Sequence, residues 1–303
     1  MHIITTSSTG AFRACNRKYK HLYVDRYRSK SPSAALRFGS LFHLMLNAWW
    51  SGEAIEDVLK IPDAEGVDPF VRVRAQELMS GYDLRWERST DVVDVEQSFD
   101  IQIVNPDTGR PMQKTRLQGK IDVRCTDEIV EHKTTSQDIS TGSPYWRRLA
   151  IDNQVSNYLI AAGVNKCVYD VISTRLPKPF KETPDDKKRY TASGALDKRQ
   201  HAKDETPEEY RLRVCETIAK APDKFYQRGD VVRLPEEIVE AQYDLYQQAL
   251  MIRNSARTGH WPRNPNACLM YNTECAFFDV CSGISSLEES PKLVRKEKEH
   301  EEL

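Results

Sequence analysis

Apolar residues recur at helical spacing along several segments of the chain. Between Ala34 and Trp50 the apolar stripe consists of Phe38, Leu41, Phe42, Met45 and Trp49. Side chains three and four positions apart lie on one face of a helix, so this pattern predicts an amphipathic helix. The same spacing predicts further helices over residues 69–88, 152–163, 206–221 and 235–258.

Alternation of polar and apolar residues, which has the period of a β-strand, occurs mainly in the middle of the chain. It predicts strands over residues 92–104, 112–124, 130–133 and 167–174, and a short one over 231–234. The helix over 152–163 separates the third of these strands from the fourth. A strand, a helix and a strand in that order favour a crossover connection within one sheet. The pattern therefore predicts a sheet with helices packed against it.

Three segments show neither the helical spacing nor the alternation of a strand. Residues 177–204 are polar, basic and rich in turn residues, which indicates a surface loop or a mobile insertion. The pattern over residues 261–281 predicts a loop that carries cysteines. The charged residues 284–303 are expected to form a disordered tail. A chain of 303 residues is long enough for one large domain or two small ones. We expect a single domain over residues 1–283.

Composition narrows the possible partners and location. Charged residues make up 29% of the chain, but the net charge is only −1, so affinity for an acidic partner has to come from local basic patches. The chain contains no apolar run of about 18 residues, which argues against a membrane span. The first residues lack the basic and then apolar pattern of a signal peptide, so we expect a cytoplasmic protein.

The predicted hairpin in the middle of the chain carries two carboxylates and a lysine. If Arg124 pairs with Ile129 across the turn, Asp122 falls opposite Glu131, with Cβ atoms about 5 Å apart. Two carboxylates at that distance repel each other, and a hard cation such as Mg²⁺, which takes oxygen ligands, would neutralise them. Lys133 shares the face of Glu131 and could reach a water or phosphate held by that ion. A solvated charged face fits the same residues, so the hairpin alone leaves both interpretations open.

A second set of candidate ligands consists of cysteines. Cys268, Cys275 and Cys281 have the spacing Cys-x6-Cys-x5-Cys near the end of the chain, and Cys15 lies near its start. Thiolates suit zinc or an iron–sulfur cluster, and three clustered cysteines need a fourth ligand, for which Cys15 is the best candidate. Such a centre would hold the two ends of the chain together. The spacing does not separate zinc from iron–sulfur, and three unrelated cysteines in a loop are the remaining alternative.

Taken in order along the chain, these motifs resemble the PD-(D/E)XK nuclease superfamily. The branch that they resemble most is that of the RecB-type and CRISPR-associated exonucleases with an iron–sulfur cluster, together with phage relatives. The motifs are Cys15-Asn-Arg-Lys-Tyr19, Gly39-x-x-x-His43, Gly119-x-x-Asp122, Glu131-x-Lys133, Gln154-x-x-x-Tyr158 and the three C-terminal cysteines. Two features depart from the family pattern. Asn16 replaces a proline. In addition, six residues separate Cys268 from Cys275, whereas many relatives have two residues between the corresponding cysteines.

The resemblance implies an α/β fold, α+β in detail, with a restriction-endonuclease-like central mixed sheet flanked by helices, plus helical and cysteine-cluster segments. It implies one or two Mg²⁺ or Mn²⁺ ions bound by the side chains of His43, Asp122 and Glu131 and by the backbone carbonyl of His132. Lys133 would orient the attacking water or stabilise developing charge. Gln154 and Tyr158 would position that lysine and a DNA phosphate. A catalytic role for Glu96, on the preceding strand, stays open.

The resemblance also implies a [4Fe–4S] cluster, with zinc as the alternative, at Cys15, Cys268, Cys275 and Cys281. The expected substrate is DNA, single-stranded or with free ends, and the candidate contacts are Arg13, Arg17, Lys18, Tyr19, Arg147 and Arg148. The implied function is a metal-dependent exonuclease acting in recombination, replication or repair in a bacterial or phage-infected cell, with proteins of those processes as partners. The alternatives are a non-catalytic DNA-binding or adaptor module, and a nuclease subunit of a larger complex such as one for CRISPR spacer acquisition.

Overall fold

A mixed β-sheet forms the centre of the computed structural model, which describes residues 2–270, 273–300 and 303. The strands are β1 (His2–Ile4), β2 (Tyr27–Ser29), β3 (Val92–Val104), β4 (Pro111–Cys125), β5 (Glu128–Thr135), β6 (Lys166–Ser173), β7 (Tyr226–Val232), β8 (Leu269–Met270), β9 (Thr273–Glu274) and β10 (Leu293–Arg295). The helices are α1 (Thr6–Ala14), α2 (Asn16–Tyr19), α3 (Ala34–Trp50), α4 (Ile55–Val58), α5 (Pro69–Arg85), α6 (Pro144–Ala150), α7 (Asn153–Ala162), α8 (Pro207–Lys220), α9 (Pro235–Thr258) and α10 (Phe278–Ser282). A π-helical turn, Lys20–Val24, follows α2.

The central sheet has the strand order β1-β4-β5-β6-β7, and β3 also pairs with β4. Because β3 runs antiparallel along nearly all of β4, the strands β1 and β5 must share the other edge of β4. There β1 pairs in parallel with residues 115–117, and β5 pairs antiparallel with residues 123–124. Strand β6 is parallel to β5, and β7 is antiparallel to β6. Between β1 and β5 lies a short open stretch of the β4 edge, and the candidate site forms around it.

Successive residues of a strand point to opposite sides of the sheet, so these strands present apolar side chains on both faces. Helices cover both faces and bury those side chains. On one face α3, α5 and α8 bury apolar side chains against Val123, Val130 and Ile172. On the other face α6 and α7 pack against Ile129 and Val171. A third cluster joins α1 and α9 to the β1 end of the sheet. This architecture confirms the predicted fold class of a mixed sheet flanked by helices.

Local sequence signals account for several of the element boundaries. Helix α3 begins after Ser33, whose hydroxyl accepts a hydrogen bond of 3.1 Å from the backbone N–H of Leu36. Asp68 caps α5 in the same way, and Thr206 and Glu209 form a capping box at the start of α8. Such caps satisfy backbone groups that the first helical turn leaves unpaired. Among the helices in the described parts of the chain, none is both long and apolar enough to cross a membrane.

Three predictions from the sequence need correction. Strand β7 covers Tyr226–Val232, so the strand predicted over residues 231–234 begins too late. The loop predicted over residues 261–281 contains the β8–β9 hairpin and α10. The tail predicted as disordered over residues 284–303 contains β10, which pairs antiparallel with β2 and buries Leu293 to 4% exposure. That prediction is therefore wrong for β10. Residues 177–204 form an irregular segment with one 3₁₀ turn, and their mobility stays a prediction.

Candidate active site and cysteine cluster

The two carboxylates of the central hairpin lie where β4 and β5 part. As predicted, Arg124 pairs with Ile129 across the turn. Two residues before Arg124, Asp122 Oδ2 accepts a hydrogen bond of 2.8 Å from the backbone N–H of His132. This contact brings the Asp122 carboxylate next to Glu131, which precedes His132 on β5.

Both carboxylates are almost completely buried, with Asp122 9% and Glu131 3% exposed. Burial, together with the neighbouring charge of Glu131, raises the pKa of Asp122 well above its ordinary value. The Oε2 atom of Glu131 is buried and has no hydrogen-bond partner within the described residues. Two adjacent buried acids with an unused oxygen are an unfavourable arrangement, and a bound cation would relieve it.

His43 reaches the same carboxylates from α3. Its Nδ1 atom lies 3.7 Å from Asp122 Oδ1. Burial lowers the pKa of His43, although the charge of Glu131 opposes this shift, so the imidazole favours the neutral form that binds metals. One turn earlier on α3, a Cβ atom at Gly39 would lie 3.2 Å from Thr134 Oγ1. The glycine therefore permits the close approach of α3 to β5 that places His43 in the site.

Lys133 and Gln154 form a tight hydrogen-bonded group with Glu131. Lys133 Nζ lies 2.7 Å from Glu131 Oε1 and 2.8 Å from Gln154 Oε1, and Gln154 Nε2 donates to Glu131 Oε1 at 2.7 Å. Burial alone lowers the pKa of Lys133, but the charge and hydrogen bond of Glu131 outweigh it and raise the pKa overall. Lys133 is therefore protonated at neutral pH. Gln154 is itself fixed at the start of α7, where its backbone N–H donates to Asp152 Oδ1 at 2.9 Å.

Tyr158 lies one turn after Gln154 on α7 and packs edge-on against Phe99, with ring centroids 5.5 Å apart. Gly119 fits beneath these rings, since a Cβ atom there would lie 2.6 Å from Phe99 Cζ and 3.4 Å from Tyr158 Cε1. Tyr158, Gly119 and Asp122 line a cavity of about 190 Å³. Burial raises the pKa of Tyr158, so it presents a protonated hydroxyl. The glycine of the Gly119-x-x-Asp122 motif thus keeps this part of the site open.

Glu96, whose role the sequence left open, lies beside Asp122. Its two neighbours in β3 pair with the two neighbours of Asp122 in β4, so the two acids face each other across the ladder. The backbone of Glu96 has a φ of 56°, which is uncommon for a residue other than glycine and typical of functional sites. Its side chain accepts a hydrogen bond of 2.8 Å from Asn47 Nδ2 and lies 3.6 Å from Lys120 Nζ. Glu96 lines the same cavity as Asp122 and adds a third acidic group to the site.

A buried polar network behind the site was not predicted from the sequence. Asp170 Oδ2 accepts hydrogen bonds from Tyr82 Oη at 2.5 Å and Arg228 Nη2 at 3.0 Å, and it lies 3.6 Å from His132 Nδ1. Trp50 Nε1 donates to Tyr82 Oη at 3.1 Å. Asp170 and His132 are both fully buried. The only signal in the sequence was a single aspartate within the apolar run of β6.

The chemistry of the site suits a hard divalent cation. Carboxylate oxygens and a neutral imidazole are suitable ligands, and Glu131 Oε2, to which no described residue donates a hydrogen bond, is an acceptor in the right place. Across residues 2–270, 273–300 and 303, however, no group of three or more His, Cys, Asp or Glu side chains is arranged to hold a metal ion. Binding would therefore require His43, Asp122 and Glu131 to move closer together.

The four cysteines predicted to form a centre line a single cavity, and all four are free thiols: Cys15, Cys268, Cys275 and Cys281. The backbone around them ties the two ends of the chain together. The N–H of Asn264 approaches Cys15 Sγ at 3.4 Å, and the N–H of Arg17 donates to the carbonyl of Pro262 at 3.0 Å. The cavity therefore brings together thiols that are about 250 residues apart in the chain.

The predicted DNA contacts fall into two groups. Arg13, Arg147 and Arg148 are exposed. Arg13 and Arg148 line a cavity of about 530 Å³ together with Gln154. The Asn153 amide, with its oxygen turned towards Arg13, accepts from Arg13 Nη1 at 2.7 Å and so holds that guanidinium beside the site.

The remaining candidates lie near the cysteines, and for Arg17 and Lys18 a contact with DNA stays a prediction. Arg17 Nε donates to the carbonyl of Trp261 at 2.9 Å, and Lys18 lines the cysteine cavity. Tyr19 is only 3% exposed and stacks on Trp261, with ring centroids 5.4 Å apart. The prediction that Tyr19 contacts DNA is therefore wrong, because its ring is part of the core.

Comparison with known proteins identifies the family to which this arrangement belongs. The model of the PD-(D/E)XK nuclease superfamily matches residues 4–282, which is most of the chain. The chain therefore belongs to the PD-(D/E)XK nuclease superfamily. Membership makes it a nuclease with DNA as the implied substrate, in a family whose members usually use divalent metals such as Mg²⁺. No curated protein matches the chain in sequence.

Three solved structures are similar to the chain at low sequence identity. A "putative exonuclease" from Eubacterium rectale is 10% identical, with a TM-score of 0.47, over 95% of this chain and 90% of that one. A phage-related exonuclease from Haemophilus somnus 129PT is 11% identical, with a TM-score of 0.36, over 86% of this chain and 96% of that one. The protein SSO0001 is 13% identical, with a TM-score of 0.40, over 96% of this chain and 89% of that one.

Proposed function

We propose that this nuclease is a metal-dependent exonuclease that hydrolyses phosphodiester bonds from DNA ends in recombination, replication or repair, in the cytoplasm of a bacterial or phage-infected cell. The observation that supports it best is the hydrogen-bonded group of Glu131, Lys133 and Gln154. Beside it lie the buried Asp122 and Glu131 Oε2, an oxygen without a hydrogen-bond partner among the described residues. Two neighbouring buried acids destabilise a purely structural hairpin, whereas a bound cation would offset their charges.

The side chains of the site would have different roles in hydrolysis. Asp122, Glu131 and His43 would hold the ion, with the His132 carbonyl as a further ligand. When bound, Mg²⁺ or Mn²⁺ supplies an acidified water and offsets charge on the phosphate. The Lys133 ammonium, held by Gln154, would orient the attacking water or stabilise negative charge as it develops on the phosphate.

The requirement for DNA ends can be tested with matched substrates. The proposal predicts Mg²⁺- or Mn²⁺-dependent release of nucleotides from end-labelled linear DNA and no cleavage of the same sequence as a covalently closed circle. Labelling the 5′ or the 3′ end, on single- and double-stranded DNA, reads out polarity and strand preference. Equal cleavage of the linear and circular forms would contradict exonuclease action while leaving a nuclease in place.

We propose that Arg13 and Arg148 bind the DNA backbone beside the catalytic group. The logarithm of DNA affinity falls with the logarithm of salt concentration, and each phosphate neutralised by a basic side chain makes this slope more negative by roughly 0.7 to 0.9. The double substitution Arg13→Ala and Arg148→Ala should therefore make the slope less negative by about one to two. The measurement is a salt titration of DNA binding without divalent metal, so that cleavage does not interfere.

Arg199→Ala is the matched control for this titration, since the Arg199 side chain is 83% exposed and belongs to the segment 177–204, outside the cavity beside Gln154. It should leave the slope unchanged. If the double variant retains the wild-type slope, DNA follows a different path across the protein.

We propose that the four cysteines hold a [4Fe–4S] cluster, with a zinc ion as the alternative. Their shared cavity and free thiols support a soft or borderline metal centre. Protein purified without oxygen should be brown and contain about four iron atoms per chain for a cluster of this type. A colourless protein with stoichiometric zinc would decide for the alternative. A protein with neither metal would contradict the proposal.

A further inference from the structure

His21 lies against the cysteine cavity, although no motif in the sequence singled it out. It belongs to the π-helical turn Lys20–Val24, and only 5% of its surface is exposed. Its ring packs against Phe277, with centroids 5.1 Å apart, and Phe277 is one of the residues that line the cavity. The Nε2 atom of His21 lies 4.0 Å from Cys281 Sγ. A ring nitrogen thus approaches one of the four thiols directly.

The other side of the ring fixes which nitrogen faces the thiol. His21 Nδ1 lies 2.9 Å from Asp25 Oδ2. A carboxylate accepts hydrogen bonds, so we assign the ring proton to Nδ1 and the lone pair to Nε2. Lys20 Nζ lies 2.7 Å and 2.8 Å from the two oxygens of Asp25 and so helps to fix the position of that carboxylate. A carboxylate behind the distal nitrogen is the usual support of a histidine that binds metal.

The separation of the two donor atoms also fits a shared metal ion. Bonds of about 2.05 Å to nitrogen and about 2.3 Å to sulfur, at the tetrahedral angle, place the two ligand atoms about 3.6 Å apart. The observed 4.0 Å between His21 Nε2 and Cys281 Sγ exceeds this distance only slightly. A small movement of either side chain brings both onto one ion.

We propose that His21 is a metal ligand of the cysteine centre through Nε2, oriented by Asp25. The proposal rests on the cysteine centre advanced above. The metal is a zinc ion or an iron of a cluster, since both accept mixed nitrogen and sulfur ligands. Such a centre takes four protein ligands. His21 and three of the cysteines would then bind the metal, in place of the set of four cysteines proposed above.

The test uses the full chain, freed of metal and titrated with Co²⁺ alone, whose visible absorption reports the ligand set. His21→Phe keeps a ring against Phe277 and removes the donor nitrogen. It should weaken Co²⁺ binding at least tenfold and shift the absorption bands. Asp25→Asn keeps the His21 ring and removes only its orienting charge, so it should also weaken Co²⁺ binding, but by a smaller factor than His21→Phe. His260→Phe, at an exposed histidine, is the matched control and should change neither property.

The outcomes separate this proposal from the one on which it rests. If wild type binds no Co²⁺, zinc or iron, both fail. If wild type binds metal and His21→Phe matches it in affinity and spectrum, only the role of His21 is overturned. Circular dichroism of the metal-free protein shows whether His21→Phe folds. If it does not, the Co²⁺ affinity and spectrum of Asp25→Asn decide the role of His21, and wild-type values would overturn it. Reconstitution with iron and sulfide in place of Co²⁺ then shows whether the ion is zinc-like or part of a cluster.

Discussion

Replacing Lys133 with alanine is expected to lower kcat/KM for cleavage of linear DNA by about two to three orders of magnitude. This is the typical loss when a single group that stabilises developing charge is removed from an active site. Lys133 Nζ lies 2.7 Å from Glu131 Oε1 and 2.8 Å from Gln154 Oε1, so its charge is held in place before substrate arrives. Initial rates with Mg²⁺ or Mn²⁺ across a range of DNA concentrations give the ratio directly.

Lys166→Ala is the matched control for this experiment. Lys166 lies on the neighbouring strand β6 and is also paired with two acids, Glu128 at 2.7 Å and Asp230 at 3.2 Å, but these contacts lie outside the candidate site. The control should cleave DNA at the wild-type rate. Undiminished cleavage by Lys133→Ala would remove the lysine from the mechanism.

Asp170→Ala is expected to reduce the free energy of unfolding by about 3–5 kcal/mol, the usual cost of removing one partner from a buried ion pair. Asp170 is fully buried and accepts hydrogen bonds from Tyr82 and Arg228. Burial raises the pKa of Asp170, and the Arg228 guanidinium opposes that rise. Without the carboxylate, the Arg228 charge loses its partner between β6 and β7.

Chemical denaturation in urea, with the two-state fit checked by two probes, measures this loss. Asp57→Ala provides the comparison, because Asp57 forms an exposed ion pair with Lys60 and should cost less than about 1 kcal/mol. A loss of that small size for Asp170→Ala would mean that the buried network contributes little to the fold.

Elements with a strong local signal could be predicted closely. Helix α3, strand β3 and helix α9 have the bounds that periodicity predicts, because their apolar stripes are long and uninterrupted. Strand β7 was shortened in the prediction because Gln227, Arg228 and Asp230 are polar. Arg228 tolerates a partly buried position there only through its pairing with Asp170, which the sequence does not reveal.

In the candidate site, too, the features with a strong local signal could be predicted from the sequence. Pairing of Arg124 with Ile129 followed from alternation and turn length, and it is confirmed. Contacts between distant segments could be predicted only where a motif joins them, as for Cys15 and the late cysteines. His21 meets Cys281 across 260 residues, and β10 is ordered because it pairs with β2, although its surrounding sequence is highly charged. No motif in the sequence links either of these pairs.

The most direct test of the metal site is a calorimetric titration of Mn²⁺ into wild type and Asp122→Asn. The substitution keeps the shape of the side chain and an oxygen that can accept from the His132 N–H, but it removes the charge that would bind the ion. We predict that wild type binds one or two Mn²⁺ ions in this site. Asp122→Asn should lose that binding while staying at least as stable as metal-free wild type, because repulsion from Glu131 is relieved. Equal Mn²⁺ binding by the two proteins would contradict a metal centre at Asp122 and Glu131.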